Sequence, residues 1–207
     1  MVQKKDGDEA KRRGRPRAYD PEEALRRAMD AFWKSGYSGT SLDDLSAATG
    51  MNRPSLYAAF GDKRSLYLKA LAYYWQVALG TMRADLAQDR PLADSLMRAY
   101  EGALSIYFSG DDRPRGCFVV GTAVTEAMED AEIRESLMTG FLEFDADFEA
   151  RFRMAQDNRE LREGADPATL ATLATAVMHT IAIRARSGTP RADLAEFARK
   201  AVRAICG

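Results

Sequence analysis

The stretch from Gly36 to Lys63 permits few folds, because most of its residues with strong backbone preferences ask for a helix to start or stop. Ser41 is a preferred N-cap, and Asp44, three residues on, can reach back to close a capping box. Leu42 and Leu45 then share one face. Gly50 falls where the chain must turn, and glycine adopts a positive φ there without steric cost. Asn52 caps a second helix whose first turn contains Pro54, one of the few helical positions that tolerates proline. Leu56 and Phe60 make the inner face of that helix, and Arg53, Ser55 and Tyr57 make the outer one. Two short helices joined by a tight turn are a helix-turn-helix, whose second helix enters the DNA major groove.

The rest of the chain reads as helix throughout, with no convincing strand. Asp20-Pro21-Glu22-Glu23 is a helix start, with the apolar stripe Ala24, Leu25, Ala28, Met29 and Phe32 behind it and Gly36 ending it. Asp62 can cap a long fourth helix with Leu66, Leu71, Trp75, Leu79, Met82 and Leu86 in one stripe. Pro91 opens a fifth helix, and a turn-rich loop covers residues 110–116. The pattern predicts a sixth helix from Cys117 to Met128, a seventh from Asp130 to about Leu161, an eighth from Pro167 to about Arg186 and a ninth after Pro190. The predicted class is all-α, with about nine helices. Three regions follow: a disordered basic arm (1–19), a helix-turn-helix domain (20–64) and a second helical domain (65–207).

Charge follows the same division. The whole chain carries a formal net charge of −1, but residues 1–64 hold 13 Lys/Arg against 10 Asp/Glu, and the remainder holds 17 against 21. Lys11-Arg12-Arg13-Gly14-Arg15-Pro16-Arg17 concentrates positive charge with no acid among it. Such clustering, rather than the overall balance, marks a nucleic-acid partner. The two cysteines, Cys117 and Cys206, form no metal-ligand spacing, so neither a structural metal nor any cofactor is predicted. No signal peptide or bilayer-length apolar run is read from the sequence, which predicts a cytoplasmic setting without a membrane partner.

With these residues in view, the stretch from about Asp20 to Leu71 resembles the DNA-binding domain of TetR-family transcriptional regulators. The family's pattern appears as Gly36-Tyr37, Thr40-Ser41, Leu56-Tyr57-Ala58-Ala59-Phe60 and Gly61-Asp62-Lys63. Many members carry Tyr and His where this chain has Ala58 and Ala59. The resemblance implies a homodimer reading a palindromic operator on double-stranded DNA, with release by a small-molecule effector bound in the second domain. It also implies that the hairpin of the last two helices packs on its two-fold mate.

Residue roles follow. Arg53 has a fork that matches guanine O6 and N7. Ser55 can touch a base or a phosphate, Pro54 can pack on a thymine methyl, and Asn52 is a cap or a base contact. Thr40, Ser41, Tyr57 and Lys63 are expected on phosphates. Arg13, Arg15 and Arg17 either enter a narrow minor groove or add general phosphate attraction. Trp75, Met82, Tyr100, Tyr107, Phe118, Met128, Phe141, Phe144 and Met178 are candidates for the effector pocket, or for ordinary core. Leu170, Leu173, Val177, Ile181, Leu194, Phe197 and Val202 are candidates for the dimer seam. Cys117, at an expected helix start beside Arg115, is both a pocket candidate and a candidate reactive thiolate that would sense oxidants or electrophiles; the alternative is a small buried hydrophobe. His179 reads as a structural histidine. A DNA-architectural protein of low specificity is the rival function, and no nucleophile–base pair points to an enzyme.

Overall fold

The first four helices are capped by the residues that the sequence offered as caps. In the computed structural model, which describes residues 19–87, 90–110 and 113–207, the Asp20 carboxylate accepts the Glu22 N–H at 2.9 Å and Pro21 opens α1 (Pro21–Ser35). Ser41 Oγ accepts the Asp44 N–H at 3.1 Å while Asp44 accepts the Ser41 N–H at 2.8 Å, the expected capping box of α2 (Leu42–Thr49). Gly50 follows at φ 70°, ψ 13°, in the left-handed region. Asn52 Oδ1 accepts the Ser55 N–H at 2.9 Å and begins α3 (Arg53–Phe60). Asp62 does the same for α4 (Lys63–Leu86), taking the Ser65 N–H at 2.7 Å. Leu45, Met51, Leu56 and Phe60 are buried together with Phe32 of α1.

The remaining described helices are α5 (Leu92–Tyr107), a short α6 (Val124–Glu126), α7 (Ala131–Asp157), α8 (Pro167–Arg186) and α9 (Arg191–Cys206). No strand occurs among the described residues. Two boundaries differ from the sequence reading. The expected helix from Cys117 to Met128 is a π-helical turn over Val119–Ala123 running into α6. Here Thr122 donates its hydroxyl to the Phe118 carbonyl at 2.8 Å and lies 2.8 Å from the Tyr67 hydroxyl, and three β-branched side chains crowd the turn. The seventh helix stops at Asp157, short of Leu161. Arg159 takes φ 60°, and Glu160 turns to accept the Leu92 N–H, an orphan donor at the start of α5 where Pro91 offers no side-chain cap.

The arm lies outside the described residues apart from Tyr19, which packs partly buried against the core. The sequence reading found no bilayer-length apolar run, yet α8 is long and apolar enough by composition, with a mean hydropathy of 1.3 over its best window. In the fold it is a packed helix. Leu170, Ala171, Ala174, Thr175, Met178, Ile181, Ala182 and Ala185 face inward, and the opposite face is left open.

An aromatic cluster joins the first three helices to the rest. Phe118, fully buried, lies against Trp33 of α1 and Tyr67 and Tyr74 of α4 at ring separations of 5.5–5.8 Å. Trp33 meets Tyr74 edge-on at 5.2 Å, and Phe32 meets Tyr67 at 5.1 Å. Ion pairs ring this joint. Arg115 reaches Asp30 at 2.6 Å and stacks its guanidinium 4.5 Å over Trp33. Arg64, at the start of α4, holds Asp130 and Glu132 ahead of and within α7, the latter at 2.9 Å. The Arg64 guanidinium keeps the Asp130 carboxyl down at about 2.

Candidate DNA-reading surface and effector cavity

The outer face of α3 carries Arg53, Pro54 and Tyr57 exposed to solvent, with Ser55 half-buried. Arg53 is not idle. Its Nε and Nη2 donate to Asp43 Oδ1 of α2 at 3.1 and 2.7 Å, which raises the guanidinium pKa and sets the starts of α2 and α3 side by side. Their unsatisfied backbone N–H groups and positive dipole ends share one surface, a geometry suited to phosphate. Asp43 was not singled out from sequence. Its position in the first turn of α2, on the far side of the Gly50 turn from Arg53, was the available signal.

The other candidates divide. Ser41 and Asn52 sit at this surface with their side chains committed to the caps. Lys63 lies half-buried with its ammonium 4.4 Å over the Tyr37 ring. Thr40 is a correction: it is 1% exposed, and its hydroxyl donates to the Gly36 carbonyl at 2.6 Å, so it faces away from any phosphate and locks the end of α1 to the start of α2. Arg13, Arg15 and Arg17 lie outside the described residues.

A cavity of about 30 Å³ lies between α4, α5, α7 and α8. Among the sequence candidates, Trp75, Met82, Tyr107, Cys117, Phe141, Phe144 and Met178 line it. Three do not. Tyr100 is fully buried with its hydroxyl donated to the Ala174 carbonyl at 3.1 Å, Phe118 belongs to the aromatic joint, and Met128 is exposed beyond α6. Tyr74 and Ile106 line the cavity and were not named for it, and His179, which could have faced either the pocket or the dimer seam, lines it too. Each lies one residue from a named neighbour, and helical periodicity alone cannot choose between adjacent positions facing a shared interior.

The surroundings of Cys117 favour the second of its two readings, the small buried hydrophobe, over the reactive thiolate. Burial pushes its thiol pKa up, and the Tyr74 hydroxyl, donating to Sγ at 3.2 Å, together with the Val120 and Val119 N–H groups, offsets this only in part. Cys117 does precede a helical turn, the π-turn over Val119–Ala123, but Arg115 spends its charge on Asp30. Alkylation of Cys117 by iodoacetamide near neutral pH, followed by peptide mass mapping, is expected to be slower in the native protein than in urea at the same pH. A native rate equal to or above the unfolded one would restore the activated thiolate.

The dimer candidates also divide. Leu170, Ile181, Leu194 and Val202 are buried inside the monomer, between α8, α9 and their neighbours, and so are corrections. Leu173 is 49% exposed and Ile183 56%, with Val177 half-buried between them and Phe197 half-buried on α9.

A three-helix reading head carried on a larger all-α domain with an internal cavity defines a helix-turn-helix regulator. Residues 24–70 match the family model for bacterial regulatory proteins of the tetR family, and residues 93–202 match that of the tetracyclin repressor-like C-terminal domain. The HTH-type transcriptional repressor ComR of Escherichia coli (strain K12) is 30% identical over 188 residues, 91% of this chain and 90% of the relative. The HTH-type transcriptional repressor BdcR of the same organism is 34% identical over 107 residues, 52% of this chain and 54% of the relative. Among solved structures, a cysteine mutant of the TetR family regulator CifR in complex with 26-bp operator DNA superimposes with a TM-score of 0.83 at 34% identity, covering 92% of this chain and 99% of that one. The chain belongs to the TetR family of helix-turn-helix transcriptional regulators.

Proposed function

We propose that this regulator is a homodimeric repressor that holds a palindromic operator and leaves it when a small molecule fills the cavity. The reading is carried by its likeness, over nearly its whole length, to a regulator described in complex with double-stranded operator DNA. It is supported by the relatives described as repressors.

The open face of α8 supports the dimer. Leu173, Ala176, Val177, Thr180 and Ile183 recur at helical spacing on the side turned away from the core. Only 44% of the apolar window of α8 is buried in the monomer, and an uncovered apolar stripe on a helix marks an interaction surface. A two-fold partner sets the two α3 helices about one DNA turn apart, roughly 34–36 Å, so a displacement of α4 by a few ångströms breaks the register.

Selection of bound sequences from a random DNA pool tests this reading, run on the wild type and on a Leu173→Arg, Ile183→Arg variant. The wild type is expected to yield a palindrome. The variant is expected to sediment as a monomer and to retain only weak half-site binding. A consensus without two-fold symmetry, or a variant that remains dimeric on the same operator, would overturn it.

A further inference from the structure

We propose that the cavity takes a small uncharged aromatic molecule bearing a hydrogen-bond acceptor, an aryl ketone being the simplest case. This rests on the reading of the cavity as the effector site. Three observations lead to it.

The walls are aromatic and none of the lining side chains is Asp, Glu, Lys or Arg. Trp75 meets Phe141 edge-on at 5.8 Å and Phe144 at a tilt of 59°, and Phe141 meets His179 at 4.9 Å. Rings held edge-on and tilted present faces and edges to a further flat ring.

The polar groups that are present include a donor to spare. Tyr107, 4% exposed, lines the cavity and brings a hydroxyl donor to it. Trp75 Nε1 is buried and meets no acceptor. An unmet buried donor is costly, and a ligand oxygen that meets it recovers that cost. A carbonyl oxygen has the two lone pairs such a site can use.

Burial shifts the titratable groups toward their neutral forms. Burial raises Tyr74, Tyr107 and Cys117 and lowers His179, the last against the pull of Asp145. With nothing charged on the walls, a charged guest leaves its water shell without a counter-charge.

Size sets a further condition. The free space of about 30 Å³ is well below the roughly 150 Å³ that holds benzene in a protein core. Met82 and Met178, flexible and unbranched, must therefore move aside on entry. Gly140 limits which wall can yield. A Cβ there would stand 2.3–2.5 Å from the Trp75 ring, so the indole already rests against the α7 backbone and cannot retreat further. The expansion falls instead on the flexible residues of α4 and α8, and α4 begins at the reading head.

Calorimetric titration of the full-length protein with acetophenone, ethylbenzene, benzoate and benzylammonium tests the proposal, alongside operator release followed by anisotropy. Acetophenone is expected to bind at least tenfold more tightly than either ion. Tyr107→Phe is expected to weaken acetophenone about fivefold, the worth of one net hydrogen bond, and to leave ethylbenzene unchanged. Preference for benzylammonium or benzoate, binding of none of the four, or equal loss of acetophenone and ethylbenzene in Tyr107→Phe would each overturn it. Acetophenone binding without operator release supports the ligand class and removes the release reading. Release by an ion alone does the reverse.

Discussion

Replacing Phe118 with alanine is expected to destabilise the protein by about 3–5 kcal/mol, the usual cost of truncating a fully buried phenylalanine. The site has little means of collapse. Trp33, Tyr67 and Tyr74 surround the ring, and each is tied elsewhere: Tyr67 to Thr122, Tyr74 to Cys117, and Trp33 beneath the Arg115 guanidinium. These rings bridge the reading head and the larger domain, so a void among them removes both transfer free energy and the contact that fixes the angle of the head. For a chain of this length, about 1 kcal/mol shifts the thermal midpoint by roughly 2–4 °C, so the midpoint should fall by about 6–20 °C. Calorimetry at matched protein concentration measures it, since association would make the apparent stability depend on concentration. Phe118→Leu should lose much less. A loss below about 1 kcal/mol for the alanine variant would show that the joint is loosely packed.

The second large effect lies at the DNA surface. Arg53→Ala is expected to weaken binding to the selected operator by about 1–3 kcal/mol, or roughly 5- to 150-fold, while leaving random DNA nearly unchanged. A bidentate fork discriminates among bases, whereas a phosphate contact does not. In the free protein the fork is occupied by Asp43 at 2.7 Å. That pair is exposed, and exposed pairs contribute little, so the fork transfers to a base at small cost. Asp43→Asn should therefore tighten operator binding slightly by removing an acid from a surface that meets phosphates. Anisotropy titrations at fixed salt with operator and scrambled duplexes separate the two cases. An equal loss on both duplexes would make Arg53 a phosphate contact, and base reading would fall to other residues of α3.

Much of the reading head was legible residue by residue. Asp20, Ser41, Asn52 and Asp62 each cap the helix they were read to cap, and Gly50 takes the left-handed turn. Thr40 was misjudged although it stands beside Ser41, because nothing local says whether a threonine hydroxyl turns toward solvent or back to the Gly36 carbonyl. Tyr100 and Tyr107 share a helix and a stripe. One spends its hydroxyl on Ala174 of α8 and the other lines the cavity, a difference set by tertiary packing and not by position in the stripe. The two readings of Cys117 could not be separated for the same reason. A helix start and an adjacent arginine were visible in the sequence, whereas the burial and the Asp30 partner that divert the arginine were not.

Helix α8 shows where local information ends. Its apolar residues ring the whole circumference, so periodicity offers no preferred face. Packing against α5, α7 and α9 buries Leu170 and Ile181 and leaves Leu173 and Ile183 outside. The sequence by itself determined the helices, their caps, the turn at Gly50 and the charge asymmetry, because each rests on interactions between residues a few positions apart. Tertiary structure alone decided which stripe is core and which is left exposed, which rings enclose the cavity and which cation meets which acid. Those outcomes depend on burial and on partners distant in sequence, and neither is encoded in a helix considered alone.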